Sequence, residues 1–185
     1  MAVPDSQRSL TEEDLQALPD DAYRYELVEG LLLREPAPAL RHARVQSRLF
    51  LPLARFVQER GLGEVFGELG FVLSKDPDTV RAPDVAFAST EALSRVHDET
   101  RLIRGRPDLA VEILSPSNRP GEIRSKVADF LAAGTRMVWV VDPVRRRVTI
   151  YRMLLAPRIL GENDLLDGED VVPGFSLPIS ALFLR

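Results

Sequence analysis

The sequence predicts an α/β fold of the α+β kind, a mixed central β-sheet flanked by helices, and three observations carry that prediction. Two strand-length apolar runs, LAVEIL at 109–114 and MVWVVD at 137–142, bracket a stretch from about 120 to 133. That stretch sets Ile123, Val127, Phe130 and Leu131 on one helical face. Upstream, YRYELVEGLLLREPAP alternates about a Glu29-Gly30 turn, as a hairpin does. The 185 residues fit one domain spanning 1–185, long enough to bury roughly 70% of the surface an unfolded chain exposes.

The remaining elements follow in order. Thr11 with Asp14 three residues on has the spacing of a capping box, so TEEDLQALP is a short helix stopped by Pro19. LRHARVQSRLFLPLARFVQERG has helical spacing in Val45, Leu49, Leu53, Phe56 and Val57, with Gly61 as its C-cap and Pro52 expected to kink or split it. GEVFGE, LGFVLS and RAPDVAFAS read as successive strands, punctuated by Gly67, Gly70 and a turn at DPD, 76–78. TEALSRV is a polar helical stretch. The helix beginning near Pro120 ends at Gly134, and after MVWVVD a DPVRRR turn leads to strand RVTIYR and a mixed tail.

Composition removes several chemistries. The absence of cysteine excludes disulfides, thiolate catalysis and cysteine-based zinc sites, and two histidines, His42 and His97, leave little room for a histidine-rich metal centre. The net charge of −4 provides no global attraction to nucleic acid, so such binding would have to rest on a local basic patch. No stretch has the length of a membrane span, and MAVPDSQRSL lacks the apolar core of a signal peptide; a cytoplasmic location is expected. Of 24 basic residues only Lys75 and Lys126 are lysines. Arginine cannot replace lysine where a compact charge or a deprotonatable amine is required.

Glu112 is the anomaly, a carboxylate inside an apolar strand, where an unpaired charge is costly enough to be neutralised, paired or bound to metal. Asp84 in APDVAF has a similar setting, and both acids follow a proline-bounded approach to a strand. Lys126 lies on the shoulder of the following helix's buried face, about 60° from Ile123 and about 40° from Phe130. Two carboxylates supply the hard oxygen donors that Mg²⁺ or Mn²⁺ takes, and an ammonium beside them can position a water or stabilise developing charge in phosphodiester hydrolysis. The bland alternative for Glu112 is a salt bridge to one of 22 arginines. Asp108, also a Pro-Asp, fits turn or capping chemistry. Glu26 and Glu29 alternate with Leu27 and Val28 as on a solvated strand face; His42, early on the long helix, could approach the site or a phosphate, but reads first as a surface or capping histidine. Arg145, Arg146 and Arg147 make a basic turn, solvated or gripping a DNA backbone, and Trp139 reads as core.

PD at 83–84 followed by VEIL at 111–114 resembles the PD-(D/E)xK nuclease pattern. YELVEG, APDVAF, PDLAVEILSPSN, a following helix with lysine, GTRMVWVVDP and VPGFSLP together resemble the Uma-type family of restriction endonucleases, from about Tyr23 onward. The lysine of the general pattern would stand two residues after the second acid, where this chain has Leu114; the resemblance is to members whose lysine has moved to the adjacent helix, which points to Lys126. It also gives Glu26 of YELVEG the place of a further acid at the site. The resemblance implies a restriction-endonuclease-like core, a divalent metal on Asp84 and Glu112, a DNA substrate and a homodimer. Two other readings remain beside it: a catalytically inactive module on the same fold that binds nucleic acid or protein, and a carboxylate hydrolase of a glycoside. Low aromatic content, 6%, argues against the second.

Overall fold

The computed structural model describes residues 8–19, 21, 23–35, 38–96, 102–116 and 118–184. Helix α1 (Glu12–Gln16) opens with a capping box in which Asp14 N–H donates to the Thr11 hydroxyl and Thr11 N–H to the Asp14 carboxylate. The hairpin β1 (Arg24–Val28) and β2 (Leu31–Glu35) turns at Glu29 and Gly30, both with positive φ, as a tight connection of this hand requires. Helix α2 (Leu40–Arg60) follows, ending at Gly61 in the left-handed conformation. Strands β3 (Gly63–Phe66), β4 (Gly70–Ser74), β5 (Thr79–Arg81) and β6 (Val85–Ser89) lead to the short α3 (Thr90–Leu93). Then come β7 (Leu102–Arg104), β8 (Leu109–Ile113), α4 (Pro120–Ala132), β9 (Met137–Asp142) and β10 (Arg147–Tyr151). The tail supplies β11 (Arg158–Leu160), β12 (Leu165–Asp167), β13 (Ser176–Pro178) and α5 (Ile179–Leu182).

The expected mixed sheet is present, divided in two. One sheet has the order β2-β1-β5-β4-β7 and the other β11-β10-β9-β8-β6-β3, with β12 and β13 as a separate ribbon. Pairing is antiparallel except for β8 with β9 and β4 with β7. The parallel β8–β9 pair needs a crossover, and α4 is that crossover. One face of the larger sheet, through Val111, Ile113 and Trp139, packs on Val45, Leu49, Leu53 and Val57 of α2. The other, through Ala110, Val138 and Val140, packs on Val127 and Phe130 of α4. Side chains alternate along β8, so Glu112 shares the α4 face with Ala110.

Two differences from the sequence reading have physical causes. Of the kink or split expected at Pro52, the split does not occur: helix α2 runs on through it. Burying Val45, Leu49, Leu53 and Val57, at about 1.5–3 kcal/mol each, outweighs the ~3 kcal/mol that an interior proline costs. RAPDVAFAS is not one strand: β5 ends at Arg81 in the smaller sheet and β6 begins at Val85 in the larger. Pro83, having no N–H for a ladder, sits in the crossing, and Ala82 N–H donates instead to Glu26 Oε1 at 3.0 Å. The passage from sheet to sheet leaves Asp84 at the start of β6, where the sheets meet α4.

Candidate active site

Antiparallel pairing of β6 with β8 sets Val85 opposite Val111, and one step further along the same register Asp84 comes level with Glu112. Asp84 is buried, and its oxygens are well partnered. Oδ2 accepts from Ile113 N–H at 2.6 Å and lies 3.0 Å from His42 Nε2; Oδ1 accepts from Arg24 Nη1 at 3.0 Å. Burial alone would raise its pKa, but the hydrogen bonds from His42 and Ile113 and the charge of Arg24 hold the carboxyl below the usual range.

Glu112 is buried with a different balance. Oε2 is 3.3 Å from Lys126 Nζ, while Oε1 is buried and has no hydrogen-bond partner. Burial pushes its pKa up to about 8, with Asp84, Glu26 and Glu35 adding to the rise against the pull of Lys126. The arginine salt bridge weighed for Glu112 is replaced by this lysine contact. Lys126 itself reaches Glu35 at 2.9 Å and Glu26 at 3.1 Å as well as Glu112. Burial works against its charge, but the three carboxylates hold its pKa above the ordinary lysine value.

Two sequence expectations are corrected here. Glu26 is not on a solvated face: it is 1% exposed, because β1 is covered on both sides, and Leu27 packs with Val72 and Val80 while Glu26 turns toward α4. Its Oε2 accepts from Arg81 Nη1 at 2.8 Å. His42 is not a surface residue either, since α2 presses its first turn against Asp84 and leaves the ring 4% exposed. Asp108 stays outside the cluster and ties the entry of β8 to the end of β6, accepting from Ser89 N–H at 2.9 Å and Arg106 at 2.9 Å. Trp139 is fully buried core, and Arg145 and Arg146 pair with Asp142 and Glu162. His97 lies outside the described residues.

Sequence reasoning passed over Arg24, Glu35, Arg81 and Asp129. Arg81, 2% exposed, clamps Glu26 on one side and Asp129 on the other, at 2.6 Å, and so ties β1, β5 and α4 together. A signal existed on α4, where Lys126 and Asp129 stand three apart on one face. Joined by ion pairs, Arg24, Arg81 and Lys126 serve six carboxylates: Glu26, Glu35, Glu68, Asp84, Glu112 and Asp129. The cluster carries more negative than positive charge, and Arg24, Glu35, Arg81, Asp84, Glu112 and Lys126 of it line one cleft of about 710 Å³ together with His42.

Such a site suits a divalent cation. The donors are hard oxygens, one of them the orphaned Glu112 Oε1, and the acid excess needs positive charge. Among the described residues no group of three or more acids and histidines stands ready as a metal cage. Mg²⁺ commonly takes one or two carboxylates and completes its shell with water and phosphate. Among the described residues no helix is long and apolar enough to cross a membrane.

The family described as Uma2, "Putative restriction endonuclease", matches residues 12–180. No curated protein matches the chain. Among solved structures, the crystal structure of "a putative nuclease belonging to DUF820" from Anabaena variabilis superposes with a TM-score of 0.82 over 92% of this chain and 96% of that one, at 23% identity. At that identity the likeness carries the fold.

Proposed function

The chain belongs to the Uma2 family of restriction-endonuclease-like proteins, and from that premise we propose that it is a metal-dependent endodeoxyribonuclease whose centre is the Asp84, Glu112 and Lys126 cluster. The observation that carries this reading is the unpartnered Oε1 of Glu112, buried beside Asp84 at the cleft, within an ion-pair cluster that has more carboxylates than cations. Asp84 and Glu112 hold Mg²⁺ or Mn²⁺. When bound, the cation supplies Lewis-acid polarisation of the phosphoryl group and acidifies a water.

The chain's own residues do the rest. His42 and Ile113 N–H fix Asp84 in its ionised form and in one orientation. Lys126, held by Glu26, Glu35 and Glu112 at the lining of the cleft, supplies positive charge toward a phosphoryl group bound there. Glu26 acts through Lys126 and Arg81, fixing both cations at the sheet junction, so it is a positioning residue.

Purified protein with plasmid and single-stranded circular DNA in Mg²⁺ or Mn²⁺ tests the reading. Wild type should nick or cut, while Asp84→Asn, Glu112→Gln and Lys126→Ala, checked for folding by circular dichroism, should lose cleavage by at least a hundredfold. Cleavage retained in all three variants refutes the site. Metal-independent, salt-sensitive DNA retention without any cutting supports instead an inactive binding module on the same fold.

A further inference from the structure

The wall of the cleft beside the acids has a different chemistry. Strand alternation sets Leu31, Leu33 and Glu35 of β2 on one face, and all three line the cleft. Glu35 ends that row on Lys126, so the two leucines lead away from the ammonium in steps of roughly 7 Å. Both are open: Leu31 is 69% exposed and Leu33 40%. Val28, opposite Leu31 in the hairpin, and Pro38 extend the apolar surface, and Arg119 stands on the same lining.

We infer that this wall seats unpaired nucleobases, so that the strand delivered to the acid cluster is single-stranded DNA rather than intact duplex. The inference rests on the nuclease reading above. A duplex offers a protein its phosphates and the edges of stacked bases, and leucines gain nothing from phosphate. Stacked bases follow one another at 3.4 Å, about half the roughly 7 Å step between the two leucines, so the row matches a strand whose bases have separated. Single-strand sites combine a cationic groove that follows the backbone with contacts to the base faces, and here Arg24, Arg119 and Lys126 line the same cleft as the two leucines. The cleft volume of about 710 Å³ lies in the range that encloses a small-molecule-sized ligand, hence a short stretch of strand.

The test is fluorescence anisotropy with labelled oligonucleotides, Ca²⁺ replacing Mg²⁺, using one sequence as single strand, as duplex and as a strand of abasic sites. The full chain is compared with Leu31→Ser/Leu33→Ser, two exposed positions whose change leaves the core intact. Wild type should bind the single strand at least tenfold tighter than the duplex. The double variant should lose about tenfold on the single strand and nothing on the abasic strand. Duplex bound as tightly as the strand, or an equal loss on abasic DNA, overturns the inference. So does sedimentation showing that the double substitution dissolves a dimer, which would make the wall an interface between copies. Duplex bound and cut leaves the nuclease reading standing without this one; a strand bound through the leucines but never cut in Mg²⁺ or Mn²⁺ removes the nuclease reading alone.

Discussion

His42 Nε2 and Asp84 Oδ2 lie 3.0 Å apart, both side chains about 4% exposed, and the same oxygen accepts the Ile113 amide at 2.6 Å. A helix, a strand start and a neighbouring strand thus converge on one carboxylate oxygen, which leaves Asp84 little freedom to turn. Hydrogen bonds to a charged group contribute roughly 1.5–3 kcal/mol each, and orienting partners of this kind tune metal affinity as much as the ligands do.

Replacing the ring should therefore loosen Asp84. His42→Phe is expected to weaken Mn²⁺ binding ten- to a hundredfold by titration calorimetry. His42→Gln, whose amide nitrogen can donate from the position of Nε2, should recover most of that loss. Equal affinities in all three proteins would deny His42 any positioning role.

Arg81 bridges Glu26 and Asp129 while only 2% exposed. Removing it strips the guanidinium from the buried Glu26 and leaves Lys126 and the Ala82 N–H as its remaining partners, so Arg81→Met should destabilise the fold by up to about 3–5 kcal/mol in urea titrations. Adding Glu26→Gln should restore part of that loss, since a neutral amide no longer needs the guanidinium. An additive double variant would mean that the two residues are not coupled.

Glu112 makes stability fall with rising pH. Its folded value, about 8, lies above its ordinary 4.5, so across that window the native state binds more protons than the unfolded chain. The penalty is absent below about 4.5 and complete above about 8. Glu112→Gln should flatten this stretch of the curve of unfolding free energy against pH. Mn²⁺ displaces the same proton, so binding at pH 7 should release close to one proton in calorimetry across buffers of different ionisation heat. Binding without proton release would remove Glu112 from the ligand set.

Asp108 acts in the opposite sense. Burial opposes its charge, but hydrogen bonds from Ser89 and the Arg106 guanidinium prevail and lower its pKa. The stability it contributes is present above its unfolded value of about 3.9 and is lost as pH falls through the lower folded one. Asp108→Asn should make the acid limb shallower while leaving the curve above pH 6 parallel to wild type. An unchanged acid limb would show that Ser89 and Arg106 do not favour the charged form.

Much of the architecture could be read in advance because it depends on local periodicity. The α2 and α4 faces, the β8 and β9 runs, the capping box at Thr11 and Asp14 and the Gly61 terminus each announce themselves within one or two turns of chain. β7, with only three residues, and the tail strands β11 to β13 gave no comparable signal. RAPDVAFAS misled because its apolar alternation continues across a point where the chain changes sheets.

Sequence alone determined that Glu112 stands in a buried strand and needs a partner, since its apolar neighbours leave no other position for it. Strand setting and helical spacing singled out Asp84 and Lys126, and the family resemblance added Glu26. Only the tertiary structure decided who partners whom: Lys126 rather than an arginine against Glu112, Arg24 and His42 around Asp84, Arg81 between Glu26 and Asp129. The reason is physical. Burial follows from a pattern within a single element, whereas a charge is compensated across 14 to 100 residues of sequence, by whatever the packing of separate elements brings within 4 Å.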